Sequence, residues 1–205
     1  IDPELTYSLT SYQTAISGMD ALCQGIESFW SLASTYESRK YSKQAIELVM
    51  NNLEKAVLRP NSQSRYNMSL GSHLAGKAIN LAKTTAAHAF SYPLTHLFGI
   101  PHGHAVSLTI GKFYDFNFKK LSKESNKDTI LELNKILGVN DGQEAKNILE
   151  DLISKIGLSL TLPNEVIFED EVTKIVSNVN LERLSNNPAV IREEDLKNIF
   201  ASICT

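Results

Sequence analysis

The 205 residues suit one domain or at most two small ones, and 42% apolar with 21% charged residues allow a sizeable buried core. A net charge of −3, with no Lys/Arg block or aromatics interleaved with basic residues, argues against a nucleic-acid surface. No apolar run approaches the ~20 residues of a membrane span, so no membrane partner is expected.

The opening "IDPELTYSL" lacks an initiator Met and any signal peptide, and reads as the interior of a longer protein, a fragment or an excised domain. Helical periodicity then dominates. From Ser11 to Leu32, Ala15, Met19, Leu22, Ile26, Phe29 and Trp30 recur at three- and four-residue steps. A second helix, about Ser42 to Leu58, carries Ala45, Val49, Leu53 and Val57 on one stripe and stops at Pro60. A third spans Asn61 to Leu81, with Met68, Leu74, Ala75, Ile79 and Leu81 apolar. Its small residues Gly71, Ala75, Gly76 and Ala78 permit close helix approach. A fourth, Lys83 to Tyr92, is expected to be cut by Pro93, whose ring clashes with the carbonyl four residues back. A fifth, about Pro101 to Phe113, places Pro101 in its first turn.

Four further helical patterns follow in "NKDTILELNKILG", "DGQEAKNILEDLISKIG", "NEVIFEDEVTKIVSNV" and "REEDLKNIFASI". Asn126 or Asp128 is expected to open the first, and Gly138 and Gly157 to close two of them. Few stretches alternate like strands, and no repeat or low-complexity linker is present. The expected fold is all-α, a multi-helix bundle with short connections. The two cysteines, Cys23 and Cys204, are each expected to be buried reduced thiols in a cytoplasmic protein.

Two stretches carry candidate chemistry. In "GMDALCQGIES", Asp20 and Gln24 lie one helical turn apart, and Glu27 lies a further turn along on a neighbouring line. Asp20 is a carboxylate embedded in an apolar helix, which is costly unless it is paired, bound to a cation or turned to solvent. The stretch "TTAAHAFSYPLTHLFGIPHGHAVSL" holds His88, His96, His102 and His104, four of the five histidines. A bend at Pro93 could bring His88 and His102 together, and with Asp20 they would suit a divalent transition metal with positions left open for substrate. Spacing alone does not separate that arrangement from ordinary core or surface histidines.

The order of the motifs does. "GMDAL…IES", then "AAHAFSYPLTHLFGIPHGHAVSL", then "RLSNNPAVIREEDLKNIF" closely resembles the C-terminal metal-binding domain of the iron-containing (group III) alcohol dehydrogenases, and "IDPELT" looks like that family's interdomain junction. The resemblance covers nearly all of residues 1–205. It implies a helical metal- and substrate-binding domain, with the dinucleotide-binding domain absent from this chain. No Gly-rich phosphate loop follows a strand here.

By that resemblance, Asp20, His88 and His102 are metal ligands, and Gln24 stands where a fourth ligand, a histidine, usually lies. Gln24 is then a distant fourth ligand, a holder of a metal-bound water, or a bystander to a three-residue site. The metal is Fe2+ or Zn2+, and NAD(P)H is the cofactor, held by the missing domain. Tyr92 occupies a position often held by a second histidine; it is a candidate catalytic proton donor, with simple packing as the alternative. The wording "KTTAAHAFSYPLTHLFGIPHGHAVSLT" also looks like a phosphonate-metabolism subgroup that reduces phosphonoacetaldehyde to hydroxyethylphosphonate. An anionic substrate would need polar contacts, for which Lys83, Thr84 and His96 are candidates. His96 and His104 line the cleft or lie on the surface, and His73 has no assigned role.

The implied function is NAD(P)H-dependent, metal-assisted reduction of a small aldehyde, with the isolated piece inactive and a homodimer compatible with the family. Three alternatives remain at this point. One is a dehydroquinate-synthase-like or glycerol-dehydrogenase-like domain, and another is a helical module that has lost its metal. The third is a plain interaction domain, which predicts His88 and His102 far apart.

Overall fold

The computed structural model describes residues 1–121, 127–162 and 169–204. Among them, a 3-10 turn at Pro3–Thr6 precedes ten α-helices and no strand, so the all-α bundle stands. The helices are α1 (Ser11–Trp30), α2 (Tyr36–Leu58), α3 (Ser62–Ala82), α4 (Ala86–Phe98), α5 (His102–Leu121), α6 (Lys127–Leu137), α7 (Gly142–Lys155), α8 (Glu169–Ser177), α9 (Leu181–Ser185) and α10 (Glu193–Ala201).

Helix α1 is the axis of the bundle. It packs against α2, α3, α4, α5 and α6. Ala15, Met19, Leu22, Ile26, Phe29 and Trp30 are all buried, as their spacing predicts, and Ala21 and Cys23 are buried on another side. Each large apolar side chain removed from water contributes about 1.5–3 kcal/mol. A helix wrapped on so many sides is a scaffold that neighbouring side chains must meet.

Helices α2 and α3 form a tightly joined pair. Each opens with its own capping box: Thr35 with Ser38, and Asn61 with Ser64. The Thr35 box starts α2 six residues before its expected beginning, because "YESRKYS" has no apolar stripe to announce a helix. Gly71, Ala75 and Ala78 are buried as the close approach requires, whereas Gly76 is not needed for it: a Cβ there would meet nothing within 4 Å. Leu81 is exposed.

Helix α4 departs from expectation. It continues through Pro93 to Phe98 instead of ending there. Pro93 has no N–H for the Ala89 carbonyl, and the backbone N–H of Asn180 lies 3.5 Å from that oxygen, a tertiary substitute for the lost helical bond. Helix α5 likewise runs past Phe113 to Leu121. Asp128 lies inside α6 and does not cap it, while Asn126 lies outside the described residues, as do residues 164–168 of the α8 pattern. Gly138 and Gly157 close α6 and α7 with φ of 72° and 81°, the left-handed conformation glycine adopts without penalty. Cys23 is buried, but Cys204, near the chain end, is exposed; both are free thiols. No described helix is long and apolar enough to cross a membrane.

Candidate metal centre

The site forms where α1, α4 and α5 meet, and its construction begins at a strained turn. Lys83, after α3, has φ 61° and ψ 177°, a region that side chains other than glycine rarely adopt. The turn is clamped from outside: Ser31 Oγ and Asn186 Nδ2 donate to the Ala82 carbonyl at 2.6 and 2.9 Å, and Asn186 Nδ2 also reaches the Thr84 carbonyl at 3.2 Å. Thr84 and Thr85 are buried behind it.

Thr85 precedes α4 but its side chain does not cap the helix. Glu27, a fully buried carboxylate on α1, takes that role. Its Oε1 accepts from Thr85 N at 3.2 Å, Ala87 N at 2.9 Å and Thr85 Oγ1 at 2.7 Å. The Trp30 indole donates to Thr85 Oγ1 at 2.9 Å and locks the hydroxyl. An anion at the positive end of a helix is favourable, and it satisfies N–H groups that would otherwise be orphaned. The other oxygen, Oε2, accepts from His88 Nδ1. That bond leaves Nε2 of His88 facing Asp20 Oδ1 at 3.2 Å, where it holds a proton or, in its place, a cation.

His102 arrives from the other side. Pro101 precedes α5, and Gly103 lets α5 come against α1: a Cβ there would lie 2.0 Å from the Ile16 carbonyl oxygen and 3.1 Å from Asp20 Cβ. Only glycine permits this approach. Ser91 Oγ donates to the His88 carbonyl at 2.8 Å, so toward His102 Nδ1, 3.3 Å away, it acts as acceptor. His102 thus also carries its proton on Nδ1 and turns Nε2 toward Asp20 Oδ1, at 3.7 Å. The two imidazole rings are 5.4 Å apart.

One ligand atom each from Asp20, His88 and His102 lies within 4.8 Å of the others, close enough for the three to hold one cation. This convergence rules out the plain interaction domain, which required distant histidines. Electrostatics agree. Burial opposes charge on His88, but the Glu27 charge and the hydrogen bonds to Asp20 and Glu27 outweigh it and raise its pKa to about 9. A strong proton site at Nε2 is also a strong cation site. His102 moves the other way: burial lowers its pKa against the pull of Asp20, and the charges of His88 and Arg183 lower it further.

The other sequence candidates divide. Gln24 Nε2 donates to Asp20 Oδ2 at 2.9 Å, so its amide is engaged with the carboxylate. The Tyr92 ring stacks on His102 with centroids 5.6 Å apart and is 40% exposed, at the open side of the cluster. Thr84 accepts from Arg183 Nη1. Lys83 is exposed beside that turn, and His96 is exposed in the last turn of α4, away from the cluster. His104 is half-buried, with Nε2 on the Ser159 carbonyl at 2.8 Å, rather than at the surface. Two residues escaped the sequence reading. Glu27 carried a signal, a carboxylate within a helix that is otherwise apolar around it. Arg183 opens the "RLSNNPAVIREEDLKNIF" motif, but nothing local tied it to the site, because its position depends on α9 folding back toward Tyr92.

Comparison with known proteins agrees with this geometry. Residues 14–204 match the sequence profile of the Fe-containing alcohol dehydrogenase family, C-terminal. The phosphonoacetaldehyde reductase of Streptomyces viridochromogenes is 39% identical over 116 residues, 56% of this chain and 29% of that protein. Long-chain-alcohol dehydrogenase 1 of Geobacillus thermodenitrificans is 26% identical over 98% of this chain and 52% of its own length. The crystal structure of sulfoacetaldehyde reductase from Bifidobacterium kashiwanohense, in complex with NAD+, superposes with a TM-score of 0.91 at 34% identity, covering 100% of this chain and 53% of that one. The chain spans about half the length of these relatives or less. A helical bundle that gathers Asp20, His88 and His102 at one point, matched to this profile over nearly its whole length, belongs to the iron-containing alcohol dehydrogenase family and corresponds to its C-terminal domain.

Proposed function

We propose that the intact protein is a metal-assisted, NAD(P)H-dependent reductase of a small aldehyde bearing a phosphonate or sulfonate group. Residues 1–205 serve as its helical metal- and substrate-binding domain, and the nicotinamide cofactor is held by chain outside them. The single observation that carries this reading is the convergence of Asp20, His88 and His102. The donor set fits a divalent transition metal: one carboxylate oxygen and two imidazole nitrogens, with the Glu27–His88 hydrogen bond supplying the outer-shell partner that such histidines require. Fe2+ and Zn2+ both suit these donors. The anionic aldehyde is favoured by the relatives, one of which acts on phosphonoacetaldehyde and another on sulfoacetaldehyde.

In this reading Asp20, His88 and His102 hold the cation, and Gln24 orients Asp20 through its amide rather than ligating. A bound cation supplies Lewis-acid polarisation of a carbonyl oxygen. Glu27 fixes the His88 ring and its tautomer, and Ser91 does the same for His102. Tyr92, exposed against His102, stands where its hydroxyl can donate a proton to the product oxygen. A homodimer in the cytoplasm is the proposed working state.

The test loads the intact protein with Fe(II) or Zn(II) and follows NADH and NADPH oxidation with phosphonoacetaldehyde, alongside elemental analysis. About one metal per chain and turnover lost on chelation are expected, with Asp20→Ala and His102→Ala losing the metal. A protein that takes up neither ion and reduces no aldehyde is instead the metal-free helical module, and the reading is overturned.

A further inference from the structure

We propose that Arg183 anchors the anionic tail of the substrate beside the Asp20–His88–His102 cluster, and so selects short phosphonate or sulfonate aldehydes over uncharged ones. This rests on the reductase reading above. Arg183 is half-buried on α9, yet among the described residues no carboxylate lies within ion-pair distance of its guanidinium. A partly desolvated cation without a counter-charge is costly, and it is retained where an anion arrives to complete it.

The group is also held in place. One guanidinium nitrogen donates to Thr84 Oγ1 behind the clamped Lys83–Thr85 turn. The guanidinium carbon lies 5.5 Å from the Tyr92 ring centre, where the ring face attracts it. The backbone N–H of Arg183 is tied to Asn180 Oδ1 at 2.9 Å. A guanidinium carries five N–H donors, so one bond to Thr84 leaves a fork for two oxygens of a tetrahedral anion.

The position relative to the chemistry sets the size of the substrate. Tyr92 touches both groups: its ring centre lies 5.6 Å from the His102 ring and 5.5 Å from the guanidinium carbon. Because Arg183 and His102 both rest on that one ring, and the Arg183 charge is felt at His102, an anion at Arg183 lies beside the cluster, a placement for a short carbon linker between oxyanion and carbonyl. Arg183 also lines a cavity of about 390 Å³ with Lys83, Asn180, Glu182, Ser185 and Asn186. Lys83 adds a second cation to that wall and Glu182 one carboxylate, so the net positive charge there is that of a single cation.

The experiment compares phosphonoacetaldehyde, sulfoacetaldehyde and uncharged propanal with the intact, metal-loaded protein, and measures methylphosphonate binding by calorimetry. Arg183→Gln is expected to lower kcat/KM for both anionic aldehydes about 10- to 100-fold and to weaken methylphosphonate by a similar factor, with a much smaller effect on propanal through the Tyr92 and His102 contacts. Arg183→Lys keeps the cation but loses the fork, and is expected to fall between; it carries the test if Arg183→Gln does not fold. A loss confined to phosphonoacetaldehyde supports the anchor and names its ligand; one confined to sulfoacetaldehyde does the same for sulfonate. Equal loss for propanal and the anions makes Arg183 a structural clamp on Thr84 and overturns the inference, as does no change for any. If the parent protein reduces no aldehyde, the reductase reading fails, and methylphosphonate binding still decides Arg183: binding that Arg183→Gln abolishes supports the anchor, and absent or unaltered binding overturns it.

Discussion

The α2/α3 pair and the α4/α5 pair lie against the same central helix but are built in opposite ways. Helices α2 and α3 complete themselves: each opens on its own capping box and packs through small and apolar side chains. Helices α4 and α5 depend on other parts of the chain. Helix α4 has no side-chain cap of its own, holds a proline inside, follows a strained Lys83, and relies on Glu27 from α1 and Asn180 from beside α9. Helix α5 reaches its place only because Gly103 has no side chain. Local rules are broken where the polar cluster sits and kept where the scaffold stands, which is the distribution expected when strain is tolerated for a site.

The contrast can be broken most severely at Glu27. Glu27→Ala leaves His88 Nδ1 and the first N–H groups of α4 buried without a partner, and is expected to cost about 3–5 kcal/mol in urea unfolding. Glu27→Gln keeps the shape, and metal affinity should fall about 10- to 100-fold by competition with a chelating dye. If both variants match the parent, the idea that α4 is completed from α1 is wrong.

Gly103→Ala comes next. The Ile16 carbonyl oxygen belongs to backbone and cannot yield as a flexible side chain would, so α5 must shift. A loss of about 1–3 kcal/mol is expected, together with weakened metal uptake as His102 moves from Asp20. Unaltered metal uptake would show that the close approach is not what sets His102.

A third effect depends on pH. In the metal-free protein the folded-state pKa of His88, about 9, lies above its ordinary value of 6.5. Its stabilising contribution is therefore full below pH about 6.5 and is lost as pH rises through about 9. Thermal unfolding across that window, without metal, should show declining stability that His88→Gln removes; a flat profile contradicts the charged His88–Glu27 pair.

The smallest effects belong to the self-sufficient pair. Asn61→Ala removes the acceptor that Ser64 N reaches at 2.8 Å and should cost about 1 kcal/mol. Gly76→Ala, with open space around the new methyl group, should gain about 1 kcal/mol by helix propensity alone. Neither should alter metal binding, and a change in metal affinity from either would erase the distinction between scaffold and site.

The sequence by itself determined every described helix but α9, though not the start of α2 or the ends of α4 and α5, together with the core stripe of α1, the closing glycines of α6 and α7, and the ligand candidates Asp20, His88 and His102. Those features follow from short-range periodicity, from backbone preference, and from a family resemblance carried in contiguous motifs. Tertiary structure alone decided that α4 passes through Pro93, that Gln24 leans on Asp20, that Glu27 joins α1 to His88, and that Arg183 lies over Tyr92. Each is a hydrogen bond or ring contact between residues at least four positions apart, and most span tens of residues. Such pairings depend on where whole helices come to rest, and the pattern of neighbouring residues does not encode that distance.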